Sequence, residues 1–131
     1  MPGWGAGNFE NEDAQNFLGG LHSKDPAELK EILAHAADQN DYLEEPAGSV
    51  VIAAAEVVAI AKGNPPQTVP SQITEWIARV EGAPSAQMNE LAVRAVNRVR
   101  LSSELKDLWL EAEGLNEWSA SLRDLENRLA L

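Results

Sequence analysis

From Val50 to Ala61 the chain is apolar on every side of a helix, with one exception, Glu56. A helix with no polar face has to be wrapped by other elements or by lipid. A bilayer span needs about 20 such residues, so this stretch is too short for a membrane and predicts the central helix of a helical domain. Pro46 opens it, the helix is expected over Ala47 to Lys62, and Gly63 followed by Asn64-Pro65-Pro66 stops it. A length of 131 residues suits one core rather than two, which gives a single domain over 1–131.

The remaining segments carry helical rather than strand periodicity. Asn11 is placed to cap a short first helix, with Glu12 and Asp13 in its first turn and Ala14, Phe17, Leu18 and Leu21 inward. Asp25, Pro26 and Glu28 form the start signal of a second helix that buries Leu29, Ile32, Leu33 and Ala36 and stops near Gln39. An acidic connector, 38–45, leads to the central helix. A fourth helix begins around Pro70, with Ile73, Trp76, Ile77 and Val80 at i, i+3, i+4, i+7, and stops at Gly82. A fifth follows Pro84 and presents Met88, Leu91, Ala92, Ala95, Val96 and Val99. Ser102 or Ser103 caps a short sixth helix closed by Gly114, and the last runs from Asn116 with Trp118, Leu122, Leu125 and Leu129 inward. Short connections favour antiparallel neighbours. The expected fold is all-α, a single compact orthogonal bundle of six or seven helices around the central apolar one.

Charge narrows the function classes. The chain has 10 Lys and Arg against 21 Asp and Glu, a net charge of −11, so phosphate repulsion disfavours nucleic acid. Residues 1–56 hold 11 acids and 2 bases, whereas 57–131 hold 10 acids and 8 bases. That concentration in the N-terminal half could steer a basic partner or serve only to keep a small cytosolic protein soluble. There is no cysteine, hence no disulfide framework and no thiolate nucleophile. The opening residues lack the basic and apolar regions of a secretory signal, and the cytoplasm is the expected location.

Two features call for chemistry. The glycine-rich loop 3–9, with Gly3, Gly5 and Gly7 around Trp4, permits unusual backbone angles and in other settings cradles phosphate. Here Glu10, Glu12 and Asp13 stand where the anion would bind, so the loop reads as a plug, with Trp4 and Phe9 packed on the bundle. Glu56, among valines and alanines, needs a donor or a raised pKa. Backbone N–H groups of the loop or the Trp4 indole are the expected donors, with Arg98 as the charged neighbour. Trp4, Gly5, Gly7, Phe9, Asn11, Asp13, Glu56 and Arg98 therefore form the candidate structural or functional cluster.

Other constellations fall short of a mechanism. Glu31, His35 and Asp38 share a helix face with the spacing of metal ligands, but that face lies opposite the apolar one and looks to solvent. A calcium loop begun at Asp38 would need glycine where Leu43 stands. His22 is isolated, and no Ser-His-Asp spacing occurs. No catalytic residue, metal or cofactor is expected.

The chain resembles a mostly bacterial family, domain of unknown function 4259. The likeness rests on Trp4-Gly5-Ala6-Gly7-Asn8-Phe9-Glu10-Asn11, Asp13-Ala14, Phe17-Leu18, Tyr42-Leu43-Glu44, Ala53-Ala54-Ala55-Glu56-Val57-Val58-Ala59, Ser103-Glu104-Leu105, Leu108-Trp109, Trp118, Asp124-Leu125 and Arg128-Leu129. Glu12 and Asn16 stand where the family's opening pattern has aspartates. The resemblance implies a small helical domain without an established activity, and it makes the glycine-tryptophan loop and Glu56 parts of one recurring device. The function expected is a non-enzymatic cytosolic interaction module with an acidic N-terminal half, in its sharpest form an immunity-like protein that neutralises a basic toxin. A homo-oligomer is not indicated, and no membrane partner is expected. The competing reading is a small-molecule-binding or hydrolytic enzyme with Glu56 as base in a pocket walled by Trp4 or Trp76.

Overall fold

The computed structural model describes residues 2–131; Met1, the first residue of the expected domain, lies outside them. The described residues form seven helices, α1 (Glu12–Gly20), α2 (Pro26–Asp38), α3 (Glu45–Ala61), α4 (Ser71–Val80), α5 (Ala86–Leu101), α6 (Glu104–Glu111) and α7 (Leu115–Ala130). A single 3-10 turn, Leu21–Ser23, follows α1, and no strand occurs among the described residues. The chain is an all-α bundle.

Capping chemistry places most of the helix starts. Asn11 accepts from the Ala14 N–H at 2.8 Å, Asp25 from Glu28 at 3.0 Å, Ser85 from Met88 at 3.0 Å and Ser103 from Lys106 at 3.1 Å. Of the two serines able to cap α6, Ser103 does so. It is buried, and its hydroxyl also donates to the Val99 carbonyl at 2.6 Å, which locks the turn between α5 and α6. At the end of α3, Gly63 takes φ 94°, the Gly63 N–H bonds the Ile60 carbonyl and the Asn64 N–H the Ala59 carbonyl. This left-handed closure needs a residue without a Cβ. At the end of α6 the left-handed residue is Glu113 (φ 60°), not Gly114. A Cβ on Gly114 would lie 2.7 Å from the Trp109 ring, so that glycine answers to packing.

Helix α3 packs against every other helix of the bundle, as an element with no polar face must. Its residues 51–59 are all buried, Glu56 included. The core built on it takes Phe17 and Leu18 from α1, Leu29 and Leu33 from α2, Ile73 and Trp76 from α4, Leu91, Val96 and Val99 from α5, Leu105 and Trp109 from α6, and Leu122, Leu125 and Leu129 from α7. Each such side chain contributes about 1.5–3 kcal/mol when fully buried. Ile32, expected inside, is only half-buried.

The N-terminus of α3 has no cap from its own sequence, since Glu44 makes no side-chain bond there. The partner comes from α6. Glu104 accepts from the Glu45 N–H at 2.6 Å, and the Glu104 N–H donates to the Leu43 carbonyl at 2.9 Å. Burial, followed by the nearby charges of Asp13 and Glu104, raises the Glu45 pKa. A carboxyl whose pKa is higher in the fold than in the unfolded chain supports the fold while protonated, and that support is lost as pH rises through the folded pKa. Glu45→Gln is therefore expected to raise the melting temperature at pH 7, with the gain shrinking as pH falls through the raised folded pKa and gone once pH lies below the ordinary glutamate value of about 4.3. Thermal melts followed by circular dichroism across that range test this; a variant less stable at pH 7 would mean that helix-dipole attraction for the carboxylate outweighs its crowding.

Candidate functional site

Glu56 is 2 % exposed and fully engaged. Its carboxylate meets Arg128 of α7 in a two-pronged pair, Nη1 to Oε1 and Nη2 to Oε2, both 2.8 Å. Asn8 of the opening loop adds a third donor, Nδ2 to Oε2, at 2.8 Å. Planar guanidinium and planar carboxylate match in this geometry, and charge assistance makes such bonds stronger than neutral ones. The Glu56 hydrogen bond and charge raise the Arg128 pKa, against the opposing effect of burial. Arg128 is held further by Asp124 one turn earlier, at 2.9 Å.

The same contact seals two helix ends. The last carbonyls of a helix have no partner within it. In α7, Asn64 Nδ2 donates to the Arg128 carbonyl at 3.0 Å and Lys62 Nζ donates to the Leu129 carbonyl. The residues that close α3 thus close α7 as well.

The opening loop is folded around its own glutamate. Gly7 N–H donates to the Glu10 carboxylate at 2.9 Å, Glu10 N–H to the Gly7 carbonyl at 3.1 Å, and Trp4 N–H to the Glu10 carbonyl at 3.0 Å. A Cβ on Gly3 would lie 2.4 Å from that last carbonyl, so close approach demands a glycine. None of the loop glycines has positive φ. Their role is space rather than unusual angles, and the anion they wrap is supplied by the chain itself.

Several sequence expectations need correction. Arg98 does not reach Glu56; it donates to the carbonyls of Ala36 (3.0 Å), Gln39 (2.6 Å), Asp41 and Ser102 (3.3 Å), tying down the end of α2 and the connector after it. Trp4 is 64 % exposed and is not packed on the bundle, whereas Phe9 and Ala6 are. Neither the Trp4 indole nor a backbone N–H supplies the donor to Glu56; Asn8 does. Asn11 serves α1 as its cap, Asp13 lies near Glu45, and Gly5 and Gly7 face Glu10. Of the eight cluster residues, the loop members stay together and Glu56 joins them through Asn8; Asn8 and Arg128 occur in the family-like motifs but are not among the eight.

Glu56 also forms part of an open recess with Asn8, Phe9, Thr68, Ser121 and Arg128. No tryptophan borders it, and Trp76 lines a different cavity. Glu31 and His35 are exposed and Asp38 pairs with Arg94 at 2.7 Å. No group of three or more metal-binding side chains occurs among the described residues, and none of their helices is long and apolar enough to cross a membrane.

The chain belongs to the family described as domain of unknown function DUF4259, whose model matches residues 3–121. No curated protein and no solved structure matches it. The match ends before Arg128, so the pairing of Glu56 lies partly beyond it.

Removing one partner of a buried ion pair strands the other charge. Glu56→Gln and Arg128→Gln are each expected to cost about 2–4 kcal/mol in urea unfolding, and the double variant less than the sum of the two. Glu117→Gln, exposed on α7, is expected to stay within about 0.5 kcal/mol of the parent. Additive losses, or single losses below about 0.5 kcal/mol, would remove Glu56 from its anchoring role.

Proposed function

We propose that this chain is a non-enzymatic cytosolic interaction module that meets a basic protein through an acidic face. Its sharpest form is a small acidic protein that neutralises a basic toxin. The observation that carries the reading is Tyr42, 61 % exposed and within the field of three carboxylates, Asp107, Glu104 and Glu111. Its hydroxyl donates to Asp107 at 3.0 Å. Desolvation, that bond, and the charges of Asp107, Glu104 and Glu111 together raise its pKa. Glu45 and Asp13 extend the same field.

This face is assembled from α1, the connector before α3 and α6, so it draws on more than the N-terminal half of the chain. An exposed aromatic within a negative field suits lysine and arginine, through ring contact and charge together. Long-range attraction between such faces speeds encounter and weakens with salt. A general base needs an oxygen free to take a proton, and Arg128 and Asn8 occupy both oxygens of Glu56. That occupancy supports binding over hydrolysis.

The test is affinity capture from a native lysate at about 50 and 300 mM salt. A discrete basic partner is expected, retained at low salt and reduced at least about tenfold by the combined Tyr42→Ala, Asp107→Asn, Glu111→Gln variant, roughly 1.4 kcal/mol of binding. Glu75→Gln on α4 is expected to leave capture unchanged. A partner held equally by the triple variant, or one without basic character, would overturn the assignment.

A further inference from the structure

At the other end of α3 from the acidic face lies a partly enclosed apolar cavity of about 250 Å³. Its walls are Leu29 of α2, Val57 and Val58 of α3, Trp76 and Ile77 of α4, and Met88 of α5. An apolar space of about 150 Å³ is enough to take up benzene. No side chain of the walls leaves a buried polar atom unpaired. The Trp76 indole N–H is spent on the Lys24 carbonyl at 2.8 Å, a carbonyl that Arg79 also engages at 2.8 Å. The ring therefore offers carbon surface to the cavity, and α4 is pinned in place. Among the described residues, the buried side-chain atoms lacking a hydrogen-bond partner, Asn8 Oδ1, Ser49 Oγ and Asn89 Oδ1, all belong to residues outside the lining.

The mouth has a different character. It is formed by the turn from Glu81 to Ser85, where Glu81 takes φ 53° and Gly82 φ 89°. A glutamate at positive φ is costly backbone, so the turn at the mouth is held by its surroundings. Glu81 is also the one charged residue of the lining. Its carboxylate gives the lining a negative charge, which favours a cationic ligand group over an anionic one.

We propose that this cavity binds a small aromatic compound carrying a protonated amine, with the ring between Trp76 and Met88 and the ammonium at the mouth beside Glu81. Ring burial provides affinity and the single carboxylate selects the charge, the usual division of labour in a small-molecule pocket. The site stands apart from the acidic face and does not rest on it.

The test titrates the intact chain with 2-phenylethylamine, 2-phenylethanol and phenylacetate, which share a phenyl ring but differ in charge. Amide and indole chemical shifts and the melting temperature are followed together. The amine is expected to move the signals of Trp76, Val58 and Met88, to raise the melting temperature by about 4 °C at ten times its Kd, and to bind at least about fivefold tighter than phenylacetate. Glu81→Gln is expected to bring amine and phenylacetate within about twofold of each other while the neutral alcohol binds as before. Ala61, at the end of α3, also lines the cavity, and Ala61→Leu, which fills part of it, is expected to abolish all three titrations in a protein that melts normally. Shifts centred elsewhere, equal binding of the anion and the amine in the parent chain, or full binding by a folded Ala61→Leu variant would overturn the proposal.

Discussion

A carboxylate placed in the middle of a helix that is otherwise wholly apolar sets the terms for the rest of this bundle. Burying an isolated charge costs more than any single packing contact returns. Glu56 is tolerated because Arg128 meets both its oxygens and Asn8 supplies a further donor. Those two donors come from opposite ends of the chain. The ion pair therefore determines where the opening loop and the last turn of α7 sit against α3, and Lys62 and Asn64 complete the same junction from the α3 side.

Periodicity and caps carried the fold, because each is a local property. The apolar stretch identified α3 as the centre, Asn11, Asp25 and Ser103 marked helix starts, and Gly63 marked an end, all within a residue or two of the observed positions. What the sequence withheld is which distant donors arrive at a buried acceptor. Arg98 lies at the border of the apolar face of α5, a position that allowed it to turn toward α3 or toward the end of α2. The orphan carbonyls of α2 took it. Arg128 follows Asp124 by one helical turn on a face adjoining Leu125 and Leu129, and that spacing reads as an exposed i, i+4 pair. The docking of α7 against α3 turns the same guanidinium inward.

Trp4 illustrates the same limit from the other side. Its size argued for burial, but the loop turns on Glu10, and the hydrogen bonds among Gly7, Glu10 and Trp4 fix the backbone without reference to the indole. Phe9 takes the inward place, next to Asn8 in sequence. The charge arithmetic was similarly incomplete. Counting by halves put the acidity at the N-terminus, whereas the packing of α6 against α3 carries Glu104, Asp107 and Glu111 to Tyr42 and Glu45.

That packing also explains how crowded carboxylates persist on one face. Each end of α3 needs partners for its unpaired backbone groups, and with no capping side chain at Glu44 the N-terminus draws one from Glu104. Using an acid for this task aligns negative charge with the positive end of the helix dipole, which offsets part of the repulsion from Glu45 and Asp13. The acid therefore belongs to the joint between α3 and α6. Gly48 allows the joint to close, since a Cβ there would press within 3.0 Å of Leu105. The acidic face and the helix packing are consequently one arrangement: its central carboxylate is fixed by the backbone group it caps, and the surrounding carboxylates are brought to Tyr42 by the same docking of α6.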